Sequence, residues 1–162
     1  MKNLILLLFA VSCFAQSNDL DKSKIELLLN NWHKAAAEAK FDNYFGLMTD
    51  DAVFIGTDAT ENWTKTAFMA YAKPYFDKGK AWSFKSIERH IYFSKNKQLA
   101  WFDELLSTQM KICRGSGVVI KTINGWKIAH YVLSMTVPNE ISSEVIKIKT
   151  IVEDKIIQEL KK

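Results

Sequence analysis

His130 and Ser134 sit four residues apart in the strand-like run NGWKIAHYVLS, residues 124–134. An imidazole that titrates near neutrality can take a proton from a hydroxyl, so the pair has the chemistry of a base and a nucleophile. On a strand, positions an even number apart share a face. Trp126, Ile128, His130, Val132 and Ser134 are therefore expected together on one face. At ~3.4 Å per residue, roughly 13–14 Å separates the two side chains, too far for a direct hydrogen bond. His130 remains as a lone acid–base candidate, and a hydrogen-bonded core histidine is the alternative.

Other chemistry-bearing residues are scattered. Asp103 and Glu104 are adjacent, so on a strand they point opposite ways and at most one enters an interior. A buried carboxylate needs a partner, and Arg114, on the next predicted strand, can provide it or can meet an acidic ligand. Asp58 follows the first predicted strand, where a turn-capping aspartate is expected. Trp63 and Trp82 can stack on a flat ligand or pack in the core. His33 lies beside Trp32 on the first predicted helix, either at a site's rim or in solvent. No CxxC, HExxH or clustered His/Cys/carboxylate spacing occurs, so neither a metal nor another cofactor is expected.

The 162 residues suit one domain, with 48% apolar, 25% charged and 12% aromatic residues. The first fifteen read as an export signal: Lys2, an apolar run from Leu4 to Val11, then Cys13-Phe14-Ala15 before the cut. The expected location is periplasmic or secreted. Lipid anchoring at Cys13 is the competing reading, since Ala10-Val11-Ser12-Cys13 loosely resembles a lipobox. Cleavage leaves Cys113 alone, hence no internal disulfide. No later stretch is apolar enough to span a membrane. The basic residues form no phosphate-binding stripe, so nucleic acid is not an expected partner.

Positioning these groups requires a definite order of elements. Ile25, Leu28, Leu29, Trp32 and Ala36 recur at helical spacing, with Asp19 or Asp21 as cap. A short helix from Phe41 carries Tyr44, Phe45 and Met48, and Asp50-Asp51 ends it. Residues 52–56 read as a strand, 57–63 as a loop, and 64–79 as a helix with a break near Lys73 before Pro74. Period-two patterning then predicts strands at 81–93, 98–110, 113–123 and 126–137 in an antiparallel meander. Residues 141–162 read as a C-terminal amphipathic helix. Helices on one side of a curved antiparallel sheet make an α+β domain over a cone-shaped space.

The stretches AAAEAKFDNYFGLMTDDAVFIGTD, FIGTDATENW, LAWFDELL, RGSGVVIKTINGWKIAHYVLS and VPNE, in this order, resemble SnoaL-like, DUF4440-type domains of the NTF2-like (cystatin-like) superfamily. The resemblance covers about residues 22–140 and divides the chain into a signal peptide (1–15), a SnoaL-like domain (16–140) and the C-terminal helix (141–162). It implies an α+β cone, often a homodimer formed through the sheet. Members range from isomerases, cyclases and dehydratases to binding domains, so fold alone selects no function. The isomerase mechanism needs a carboxylate base, a helix tyrosine and a sheet aspartate. Those positions fall on Gly56, Trp32 and Val118 or Val119, so that catalytic set is missing. The leading expectation is an exported protein that binds a small, partly apolar molecule. Its tentative catalytic residues are His130 and Asp58, and its ligand-binding candidates are His33, Trp63, Trp101, Glu104 and Arg114. The alternatives are a cofactor-independent lyase or isomerase using His130 or Asp58 as base, and a non-catalytic dimerisation or scaffold module whose cone is filled by side chains.

Overall fold

The structure is a computed structural model that describes residues 2–162, with side chains from Leu20 onward. The expected export signal, with Cys13, lies outside the residues whose side chains are described. Helix α1 (Lys2–Ala37) buries the anticipated stripe of Ile25, Leu28, Leu29, Trp32 and Ala36. Asp21 is not its cap. It accepts hydrogen bonds from Lys121 Nζ (2.9 Å) and Trp126 Nε1 (3.4 Å), fastening the helix to the sheet. Burial pushes the Asp21 carboxyl up, but these partners outweigh it and hold it below the usual carboxylate range.

Helix α2 (Phe41–Gly46) is short, as expected. Strand β1 (Met48–Ile55) begins before the expected start, with Asp50 and Asp51 exposed inside it rather than ending a helix. Pairing along the sheet outweighs the poor strand propensity of two aspartates. Within the expected loop, Asn62–Thr64 forms a short edge strand, β2. Helix α3 (Lys65–Asp77) is capped by Thr64 Oγ1, which accepts the Ala67 N–H. Pro74 does not end it: the helix continues past the proline for three residues to Asp77.

The meander follows as β3 (Lys85–Phe93), β4 (Leu99–Thr108), β5 (Lys111–Thr122) and β6 (Gly125–Met135). Six strands form one sheet in the order β2-β1-β6-β5-β4-β3, with β1 parallel to β6 and the other pairs antiparallel. The inner face carries Phe54, Ala100, Phe102, Glu104, Leu106, Cys113, Val119, Ile128, Tyr131 and Leu133, covered by α1, α2 and α3. This is the expected α+β cone. Helix α4 (Ser142–Leu160) follows a single 3-10 turn at Asn139–Ile141. It buries no residue, and Ile146, Ile148, Ile151 and Leu160 stay exposed along it. Among the described residues no helix is long and apolar enough to cross a membrane.

Strand β6 does not keep one face to its end. Its register with β5 shifts between Val118 and Val119, where Val118 pairs with His130 and Val119 with Ile128. Ala129 is the extra residue of a β-bulge, and side-chain parity inverts there. Trp126 and Ile128 point inward, then Tyr131 and Leu133 do, while His130, Val132 and Ser134 turn to the outer face.

On β5 the inner face carries Gly115 and Gly117, and both spaces are occupied from neighbouring strands. A Cβ at Gly115 would overlap the Tyr131 hydroxyl, and one at Gly117 would meet the His130 carbonyl and the Phe102 ring. Gly117→Ala is expected to cost about 1–3 kcal/mol through overpacking. Ser116→Ala, on the outer face, is expected to stay within about 0.5 kcal/mol of the parent. Urea unfolding midpoints of the two variants check this; equal midpoints would mean that β5 shifts freely.

Candidate functional site

Two arrangements occupy the cone. The deeper one is ionic. Glu104 lies on the inner face of β4 and is buried. Its Oε1 accepts hydrogen bonds from His33 Nε2 (2.8 Å) and the Tyr131 hydroxyl (3.1 Å). Its Oε2 accepts the Arg89 guanidinium fork, from Nε at 2.9 Å and Nη2 at 2.7 Å. Arg89 Nη1 reaches Glu26 Oε2 (2.6 Å) and Asn30 Oδ1 (2.9 Å) on α1. The Arg89 side chain is only 4% exposed, so the guanidinium is spent inside the fold. Burial pushes the Glu104 carboxyl up, but the His33 hydrogen bond and charge and the Arg89 guanidinium prevail and hold it below the ordinary value. Burial, reinforced by the Glu104 charge, raises the Tyr131 hydroxyl well above the usual phenol range.

Arg89, not Arg114, therefore answers Glu104. The sequence carried a signal for it. Arg89, Ile91 and Phe93 share a face of β3, and a cation on an apolar strand face requires a buried anion. The cross-strand register sets Arg89 directly against Glu104.

The second arrangement is a solvent-open cavity of about 190 Å³ at the mouth of the cone. Phe54 and Leu133 form part of its wall from the sheet, Phe68 and Tyr71 from α3, Trp63 from β2, and Trp82 and Phe84 from the segment before β3. Phe68 stacks on Phe54 with centroids 4.0 Å apart, and Trp63 stacks on Tyr71 at 4.6 Å. The inner cone is filled: Trp32 is pressed between Tyr44 (4.8 Å) and Tyr131 (4.7 Å).

One carboxylate reaches the mouth. Glu61 follows the turn after β1, where its carbonyl accepts the Gly56 N–H (2.9 Å) and its Oε2 accepts the Asp58 N–H (3.1 Å). A Cβ at residue 56 would overlap that Oε2, so only glycine lets the carboxylate lie there. Gly56 is where the isomerase comparison puts its base. The carboxylate missing from that position arrives from Glu61 instead. Nothing in the spacing of TDATENW distinguishes Glu61 from Asp58; the turn decides.

Of the residues singled out in the sequence, Trp63 and Trp82 line the cavity. His33 and Glu104 lie together in the ionic cluster behind it. Asp58 is exposed in the turn, where its Oδ1 accepts the Thr60 N–H (2.9 Å) and hydroxyl (2.6 Å), and these bonds hold it below the usual carboxylate range. Trp101 is on the outer face, stacked on Tyr92 with centroids 5.9 Å apart. Arg114, opposite Leu105 and Ser134, is exposed on that face. His130 is half-buried there, between Val53 and Val118. The structure thus brings neither His130 nor Arg114 to the cavity, and the cause is the bulge at Ala129 for the first and strand parity for the second. Among the described residues no group of three or more His, Cys, Asp or Glu side chains could hold a metal ion.

The sequence profile of the SnoaL-like domain matches residues 25–138. A comparison with curated protein sequences gives no match. Among solved structures, a cystatin-like domain from Nostoc punctiforme is 17% identical, with 88% of this chain and 98% of that one covered at a TM-score of 0.62. A candidate scytalone dehydratase from Novosphingobium aromaticivorans is 12% identical, covering 76% and 89% at 0.64. A candidate dehydratase of the NTF2-like family from Streptomyces avermitilis is 13% identical, covering 75% and 99% at 0.63. At these identities the likeness is one of fold.

Replacing Glu104 by Gln leaves the Arg89 guanidinium short of an anion in a dry site, and a loss of about 3–5 kcal/mol is expected. Because the folded-state pKa is depressed, the carboxylate's contribution is complete above its ordinary value of 4.5 and is lost as pH falls through the lower folded value. The stability gap between parent and Glu104→Gln, measured by urea unfolding, should hold steady at neutral pH and close on acidification below 4.5. A gap that stays constant into acid would contradict this account.

Proposed function

The chain belongs to the SnoaL-like domain family, and from that premise we propose that it is an exported protein binding a small, partly apolar molecule at the mouth of its cone. One observation carries the reading: a solvent-open cavity of about 190 Å³, half of whose lining residues are aromatic. Its volume suits a single ring or a short chain end. Trp63 and Tyr71 offer flat surfaces for stacking. The leader-like residues 1–15 support export.

The second reading, a cofactor-independent lyase or isomerase, is favoured by Glu61, whose carboxylate lies where a side chain at residue 56 would begin. In that reading Glu61 is the base, ahead of His130 and Asp58, because it alone of the three lines the aromatic cavity.

Assembly belongs to the same proposal. Tyr92 and Trp101, each 46% exposed, form an apolar patch on the outer sheet face, with Asp103 and Arg114 on that face. An apolar centre flanked by opposite charges can be self-complementary about a two-fold axis, which supports a homodimer through the sheet.

Native mass spectrometry of protein purified from its own host should reveal a retained small molecule, and Trp63→Ala should lose it and weaken quenching of tryptophan fluorescence by small aromatic probes about tenfold. If neither the parent nor the variant retains or binds anything, the filled-cone scaffold replaces this reading. Sedimentation of Trp101→Glu should show monomer where the parent shows dimer; a parent that is monomeric at high concentration would end the dimer proposal.

A further inference from the structure

The cavity has one sign of charge. Glu61 is the only ionisable acid or base among its lining residues apart from the Tyr71 phenol, and no lysine, arginine or histidine faces it. This is notable in a chain with 22 basic and 18 acidic residues. Among the described residues Glu61 takes part in no salt bridge; the contacts of its carboxylate are the Asp58 N–H and the Gly56 backbone beneath it. It is half-buried, and Gly56 keeps it against the cavity floor. The Tyr71 hydroxyl feels it: burial and the neighbouring Tyr75 raise that phenol above its ordinary value, and the Glu61 charge adds to the shift. The remaining polar lining, Thr57 and Gln109, is neutral.

An anion entering this space would meet a carboxylate and no cation. A neutral apolar molecule would leave that carboxylate partly desolvated and unpaired, which costs free energy. An alkylated ammonium satisfies both parts of the wall, since the ring faces attract a cation too weakly hydrated to demand hydrogen bonds, and Glu61 supplies the counter-charge. We propose that the cavity selects an organic cation, a quaternary or alkylated ammonium group, seated against the aromatic wall that Trp63, Tyr71 and Trp82 help to form, with Glu61 as its counter-ion. This rests on the binding reading above and specifies the ligand's charge.

The test compares choline with dimethylbutanol, its uncharged carbon isostere, by tryptophan fluorescence and calorimetry at low ionic strength. Choline should bind at least tenfold more tightly than the alcohol. Glu61→Gln, which can still accept the Asp58 N–H, should remove most of the preference by weakening choline binding. Gly56→Ala, which displaces the carboxylate without removing it, should also reduce the preference, and serves if Glu61→Gln fails to fold. Equal binding of both probes, or a preference that survives both variants, overturns the cation inference and leaves small-molecule binding standing. Binding of neither probe overturns both.

Discussion

The Glu104 carboxylate is the constraint around which the cone is assembled. Its two oxygens accept four hydrogen bonds, from His33 on α1, Arg89 on β3 and Tyr131 on β6. Three elements distant in sequence are thereby held to the inner face of β4. Such a cluster is an uncertain source of net stability, because dehydrating the ions offsets most of their attraction. Its contribution is geometric. A fully satisfied buried network disfavours every register or helix placement that would leave one of its members without a partner.

That choice has consequences for the space above it. The cluster takes the deep polar volume of the cone, and Trp32, Tyr44, Phe54 and Phe102 fill what is left, so the room for a guest lies at the mouth. The character of that room is then set by whatever the mouth-lining segments present. These are the turn after β1, one face of α3 and the stretch leading into β3. Turns and helix faces vary without disturbing the sheet, which is how a single fold accommodates unrelated ligands and chemistries.

Most of the fold was legible in the sequence because its signals are local. The stripe Ile25–Ala36 marks α1, the period-two runs after Trp82 mark the meander, and Asn124-Gly125 marks its last hairpin. The order of these signals also carried the family resemblance. The site was far less legible, since its decisive facts are non-local. Arg89 and Glu104 are fifteen residues apart and meet only through the β3–β4 register. Glu61 and Asp58 look alike in TDATENW, and a turn closed by hydrogen bonds to Gly56 and Asp58 brings Glu61 to the cavity. His130 was assigned to a face by strict alternation, and alternation fails at one unpaired residue that no composition rule marks.

That single residue has an evolutionary meaning. Deleting Ala129, the extra residue of β6, would restore the register and leave both faces as they are; drawing it into regular alternation with β5 would instead exchange the two faces of everything C-terminal to it in the strand. His130, Val132 and Ser134 would enter the cone, and Tyr131 and Leu133 would leave it. One step of register therefore separates the present lining from one that carries an imidazole and a hydroxyl, without any new side chain being introduced. Tyr131 is what holds the chain to the present version, since its hydroxyl is committed to Glu104. A lineage that first released that bond could convert the present wall into one equipped for proton transfer through a register slip alone, a route that substitution-by-substitution comparison of relatives would overlook.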